Sequence, residues 1–212
     1  MRRLQSSGPF PLSRRLFVAG GALALTGIGI RATQANTVIG KAVEITGDVT
    51  RKQANHREGL KAGASVMDRD FVSTGRDSFA SLELGGDTML LLGSDTELLV
   101  DSFIAGQGGV IELGTGQMVF DRPEGLAKID LTMRTAFGMI GVRGTKFFAG
   151  PSRGVFAVFV EHGRVAVTGA GVTKEVGGGE GVEIATPGAA PGEVVRWGEA
   201  RIREAYASVG LR

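Results

Sequence analysis

Arg143 is the residue whose setting most invites a chemical role. It stands in Gly141-Val142-Arg143-Gly144-Thr145, bracketed by two glycines. Glycines at that spacing mark a backbone corner that a Cβ would hinder. A guanidinium held out at such a corner can present paired N–H donors to an anionic ligand or a partner carboxylate. The plainer reading, and the preferred one, is that Arg143 pairs with an acid of its own domain and pins the corner. Thr145 would then supply the strand-entry hydroxyl that satisfies a turn amide. Arg143, Gly144 and Thr145 are thus fold-motif residues first and a possible partner contact second. On this reading Arg143→Ala lowers stability and leaves partner binding nearly untouched.

The other candidates carry less. His56 sits in the polar, basic stretch RKQANHREGLK (residues 51–61), which reads as an exposed loop, and no second metal ligand stands near it. His162 lies beside a turn glycine. Asp68-Arg69-Asp70 sets two acids around an arginine, but no regular series of oxygen ligands follows, so a solvated turn is expected rather than a cation site. Gly177-Gly178-Gly179-Glu180-Gly181 lacks the Gly-Lys-Ser/Thr ending and the following helix of a phosphate cradle, and is read as a plain turn. The chain has no cysteine and no G-x-S-x-G, so an activated nucleophile beside a base is missing. No catalytic, metal-binding or cofactor-binding residue is assigned, and the chain is read as a non-enzyme.

The elements that must position Arg143 are strands. Phe147 and Phe148 enter one strand, residues 155–160 form a second that is apolar enough to be buried on both faces, and Val165 and Val167 begin a third. Pro151, Ser152, Arg153 and Gly154 make the turn between the first two. Upstream, SFASLEL (78–84) puts Ala80, Leu82 and Leu84 on one face, and Gly85-Gly86-Asp87 signals a hairpin into the continuous apolar run TMLLL (88–92). Residues 110–121 read as another hairpin through Gly114-Thr115-Gly116. KIDLTMR (128–134) sends Ile129, Leu131 and Met133 inward. In residues 38–46, Val43 and Ile45 alternate against Glu44 and Thr46, and residues 182–184 form the last strand. Turns recur about every 8–12 residues, the spacing of sandwiches, barrels and solenoids.

Glycine is abundant, 35 of 212 residues, and falls singly or in pairs between strand-length apolar runs. The fold class is therefore all-β: short stacked strands with Gly turns, solenoid-like or jelly-roll-like. One C-terminal helix is added, because Ile202, Ala205, Tyr206 and Val209 share a helical face between residues 196 and 209. Trp197 anchors its start and Gly210 is its C-cap. Covering the β domain is the preferred role for this helix, and binding a partner is the alternative.

The first residues read as an export signal. Arg2-Arg3 and Arg14-Arg15, an uncharged run to Ile30 and Thr33-Gln34-Ala35 give a basic region, an apolar region and a small-x-small cleavage site after Ala35. Arg14-Arg15-Leu16-Phe17 resembles a twin-arginine translocation signal, although Ala19 stands where a lysine is usual. The alternative, an uncleaved anchor, needs an apolar run nearer ~20 residues. Five of the 24 basic residues and none of the 22 acidic ones precede Asn36, which leaves 19 against 22 and a net charge of −3. Nucleic-acid binding is thereby excluded as an expectation. The domain plan is an export signal over residues 1–35, a β domain over 36–186, and a linker with the helix over 187–212. The expected compartment is the periplasm, with no stable membrane span after cleavage.

FVSTG (71–75), SFASLELGGDTMLLLGSDTEL (78–98), GMIGVRGTKFF (138–148) and VFVEHGRVAV (158–167) together resemble the FecR domain, the periplasmic sensing part of iron-citrate signalling regulators. Arg143-Gly144-Thr145, followed by a strand and then Glu161-His162-Gly163-Arg164-Val165, is the most specific part of the resemblance. It implies an all-β, solenoid-like body and an envelope protein as partner, such as a receptor, a cyclase or another membrane protein. Sigma-controlling members of the family place a cytoplasmic anti-sigma domain before the membrane. With Arg14-Arg15 so near the start of this sequence, that activity is not expected here. The resulting expectation is a non-catalytic binding and signalling accessory module. The alternative is a cell-envelope scaffold associating with peptidoglycan or outer-membrane components.

Overall fold

The computed structural model describes residues 37–54 and 56–211. The export signal and its cleavage site lie outside the described residues. The chain weaves between two sheets, and each pass adds strands to both.

β1 (Val38–Thr46) lies in the first sheet, β2 (Val49–Gln53) and β3 (His56–Gly59) in the second, β4 (Ser65–Met67) in the first and β5 (Phe71–Thr74) in the second. The hairpin β6 (Phe79–Leu84) and β7 (Thr88–Leu92) returns to the first, and β8 (Glu97–Ile104) with β9 (Gly108–Thr115) to the second. β10 (Met118–Asp121) joins the first sheet, and β11 (Asp130–Thr135) with β12 (Gly138–Val142) the second. Then come β13 (Lys146–Ser152) and β14 (Val155–His162) in the first, β15 (Arg164–Gly169) and β16 (Val172–Gly177) in the second, and β17 (Glu180–Ile184) with β18 (Val195–Arg196) in the first.

Among the described residues each sheet has nine strands, ordered β18-β17-β14-β13-β10-β7-β6-β1-β4 and β16-β15-β12-β11-β9-β8-β5-β2-β3. Both therefore grow in the same direction along the chain, which is the solenoid-like alternative rather than the jelly-roll one. Neither sheet closes on itself. β9 and β11 pair in parallel because the chain leaves for β10 in the opposite sheet and comes back beside its starting point.

The core lies between the sheets, and strict alternation builds it. β6 buries Ala80, Leu82 and Leu84, and β11 buries Leu131 and Met133 just after Ile129, as the pattern predicts. Strands near the middle of the first sheet are buried on both faces. Met118, Phe120, Phe147 and Val158 point into the common core, while Val119, Phe148, Ala157 and Phe159 belong to a second apolar cluster. α1 (Glu199–Ala207) and its flanking residues cover that second cluster, with Ala205 from the helix and Trp197 and Val209 from either side of it. Gly210, at φ +83°, ends the helix, with Gly210 N–H on the Ala207 carbonyl at 3.1 Å and Leu211 N–H on Tyr206 at 3.1 Å. The helix is thus a cover for the β body. Among the described residues no helix is long and apolar enough to cross a membrane.

Four local expectations are corrected. Residues 51–61 are not a loop: Arg51–Gln53 pair with His56–Glu58 at the edge of the second sheet, because backbone pairing makes a strand there without any apolar alternation. Residues 110–121 are not a hairpin: β9 and β10 sit in opposite sheets, and the chain crosses at Gly116, φ +81°. Val43 faces outward, because the β1–β6 register slips between Ala42 and Glu44 and a one-residue slip swaps the faces. Val195 and Arg196 add one short strand after Ile184 by pairing with β17.

Candidate functional site

The Arg143 corner joins β12 to β13, which belong to different sheets. Gly144 makes the turn with φ +71°, a conformation that side chains with a Cβ resist. Gly141 does not share that role. It lies within β12 without a left-handed φ, and a Cβ there would meet only Ala166, at an ordinary 3.8 Å. The second turn glycine of the corner is Gly163, φ +82°, between β14 and β15. A Cβ on Gly163 would fall 2.7 Å from Thr145 Cγ2 and 2.8 Å from the Gly144 carbonyl oxygen. The two most specific segments of the sequence, around residues 143–145 and 161–165, therefore fit against each other only because Gly163 has no side chain.

Charged groups tie this corner to its surroundings. Lys146 Nζ lies 3.4 Å from Asp121 and 3.2 Å from Glu161, and the Tyr206 hydroxyl of α1 donates to Glu161 at 2.6 Å. Burial works against the Lys146 ammonium, but Asp121 and Glu161 outweigh it and raise its pKa. Burial also opposes the Glu161 carboxylate, yet Tyr206 and Lys146 hold its pKa below the ordinary value. Burial first, and then the bond to Glu161, push the Tyr206 phenol upward. Beneath the corner, the Arg122 amide donates to the Thr145 carbonyl at 3.1 Å. The Arg122 side chain is only 2% exposed and binds Asp87, Thr88 and the Ala127 carbonyl. Sequence reasoning missed this arginine, since nothing in Asp121-Arg122-Pro123 distinguishes a buried guanidinium from a surface one.

Arg143 itself is exposed, and its side chain makes no hydrogen bond or ion pair with any described residue. The expectation that it pins the corner on an acid of its own domain is corrected: the pinning is done by Arg122 and Lys146. Thr145 is fully buried, but its Oγ1 has no partner among the described residues, so its hydroxyl does not satisfy a turn amide of theirs either. Thr145 contributes through its methyl group, packed against Gly163.

Arg143 instead lines a groove of about 740 Å³ on the outer face of the second sheet, with Lys128, Arg164, Asp130 and Glu175. The register explains the shape. Thr132, Gly141, Ala166 and Glu175 form one outward row across β11, β12, β15 and β16. The two middle positions are a glycine and an alanine, so the sheet is low there. One step along, beyond the Val142–Val165 pair, come Arg143 and Arg164. Lys128, Arg143 and Arg164 are exposed, and none has a side-chain partner among the described residues.

The remaining candidates stay apart. His56 is at the exposed edge strand β3, 3.6 Å from Glu58, and His162 is at the end of β14, 3.6 Å from Glu124. Asp68-Arg69-Asp70 is a turn, with Arg69 exposed, but it is not solvated throughout. Asp70 is fully buried, accepts the Met67 amide at 2.8 Å and faces Arg51 at 3.6 Å. Burial raises the pKa of Asp70 against both of those contacts. Of the glycines in 177–181, Gly178 and Gly179 form the turn from β16 to β17, and Gly177 and Gly181 lie in the strands. No three His, Asp or Glu side chains among the described residues gather closely enough to hold a metal ion.

Residues 70–166 match the model of the family described as FecR protein, and over that stretch the chain carries a FecR domain. The family is related to signal transduction. The Arg143 corner and Arg164 lie inside the matched stretch, and α1 lies outside it. No curated protein matches the sequence. Two crystal structures of a candidate anti-sigma factor from Parabacteroides distasonis ATCC 8503, at 2.50 and 1.65 Å resolution, share the fold with a TM-score of 0.50 at 19% identity. The likeness covers 63% of this chain and 62% of theirs, so the chain spans less than two thirds of the length of those relatives.

Proposed function

We propose that this chain is an exported, non-catalytic binding module in a cell-envelope signalling system, acting in the periplasm on an envelope protein. The observation that carries the reading is the exposed Arg143 within the FecR domain, without a side-chain partner among the described residues and on a groove that the fold leaves open. A side chain whose only task was to hold the corner would have an internal partner, and Arg122 and Lys146 already fill that task. Export is supported by the paired arginines and apolar run of residues 14–30 and by the absence of acidic residues before Glu44. The non-catalytic part is supported by the separation of His56 from His162 at different sheet edges and corners.

Crosslinking in intact cells, followed by fractionation, tests the proposal. The expected result is a defined adduct with one envelope protein. An uncrosslinked monomer in the periplasmic fraction overturns it, and retention on isolated sacculi without a protein adduct would point to a scaffold instead.

A further inference from the structure

We infer that the groove on the outer face of the second sheet receives an extended acidic segment of a partner protein, its carboxylates on Arg143, Arg164 and Lys128. This deepens the proposed binding role and rests on it.

Three features of the groove lead there. First, Arg143 and Arg164 sit side by side one step beyond the Val142–Val165 pair, with Lys128 lining the same groove, and none of the three side chains has an ion-pair partner among the described residues. Like charges on neighbouring strands disfavour the free fold, and an incoming anion would relieve that repulsion. Second, the floor is Gly141 opposite Ala166. The backbone does not demand glycine at 141, because its φ is not left-handed and a Cβ would fit at 3.8 Å. What the missing side chain does provide is room for a chain to lie against the sheet. Third, the lining acids, Asp130 and Glu175, belong to the outer strands β11 and β16, whereas Arg143 and Arg164 follow and begin the inner strands β12 and β15. Positive charge is therefore concentrated beside the low floor, at the Arg143 and Arg164 end of the groove, with Asp130 and Glu175 on its two flanking strands.

The size favours a peptide over a small anion. Four strands at roughly 4.8 Å spacing make a trough about 14 Å across, which an extended segment of four or five residues spans. Guanidinium groups bind carboxylates through two parallel hydrogen bonds, so two arginines side by side fit acidic side chains projecting from the same face of a strand.

The test is an amide-resolved NMR titration of the purified protein with a hexaglutamate peptide. The expected result is a set of shifts concentrated at Gly141, Gly144, Gly163 and Ala166. The double variant Arg143→Gln/Arg164→Gln should weaken binding by about tenfold or more. Gly141→Val, which fills the floor without changing charge, should weaken it as well. The melting temperature of the double variant should not fall, since neither side chain bonds to another described residue. Shifts elsewhere on the surface, binding unaffected by either variant, or equal shifts with inorganic phosphate at matched ionic strength would overturn the inference. If the double variant still forms the adduct in intact cells, the binding-module reading survives and the groove is not its surface.

Discussion

Gly163→Ala probes the corner most directly. Gly163 adopts φ +82°, and its missing Cβ would sit 2.7 Å from Thr145 Cγ2 and 2.8 Å from the Gly144 carbonyl oxygen. Forcing alanine into the left-handed region costs about 1–2 kcal/mol. Pushing a methyl group against backbone and a packed threonine adds about 1–3 kcal/mol, because neither neighbour is the loose end of a flexible side chain. Gly154 is the control. It has φ +88° but nothing within 4 Å of a would-be Cβ, so Gly154→Ala carries the conformational cost alone. Urea unfolding of the two variants should therefore differ by about 1–3 kcal/mol with equal slopes. At about 2–4 °C per kcal/mol, the gap amounts to several degrees in melting temperature. If Gly163→Ala is no less stable than Gly154→Ala, the close fit between the 143–145 and 161–165 segments is not what holds the corner.

Trp197→Ala should release α1. Trp197 stacks on Phe159 at 4.9 Å and carries Arg201 over its ring at 3.8 Å. A loss of about 3–5 kcal/mol is expected, with faster hydrogen exchange in Glu199–Ala207 and unchanged protection in β6 and β7. Arg122→Ala leaves Asp87, Thr88 and the Ala127 carbonyl without their donor. A cost of about 3 kcal/mol in urea unfolding is expected, and Arg122→Lys should not restore it, because one ammonium cannot reproduce the fork. Tyr206→Phe removes the bond to the half-exposed Glu161 and should cost about 1 kcal/mol at neutral pH. The Tyr206 pKa is raised above its ordinary 10.0, so the parent protein loses stability as pH rises from there, when only the unfolded phenol ionises. The Glu161 pKa is lowered from 4.5, so its contribution is present above that value and disappears as pH falls through the lower folded one. Stability measured across pH should show both losses in the parent and smaller ones in the phenylalanine variant.

Much of the strand content was legible. Residues 78–84 and 129–133 alternate because one face meets the core, and residues 155–160 are apolar throughout because α1 covers the far face of β14. The errors share one cause. Residues 51–61 and 110–121 were misread because a strand's partner, and the sheet it joins, are set by segments distant in the chain. Asp70 and Arg122 were misread for the same reason. A charged residue is buried when distant partners surround it, here Arg51 for Asp70 and Asp87 with Thr88 for Arg122.

The sequence by itself determined the all-β class, the helix that closes on Gly210 and the left-handed turn at Gly144, because periodicity and glycine act locally. It also picked out Arg143 from its neighbours. Only the tertiary structure decided what Arg143 faces. Lys128, Arg143 and Arg164 come from three separate stretches of chain, and their nearness depends on the register of β11, β12 and β15. That register follows from which residues the core accepts on the other face. The groove is thus a consequence of burying Leu131, Val142 and Val165 on one side of the sheet while Gly141 and Ala166 stand on the other.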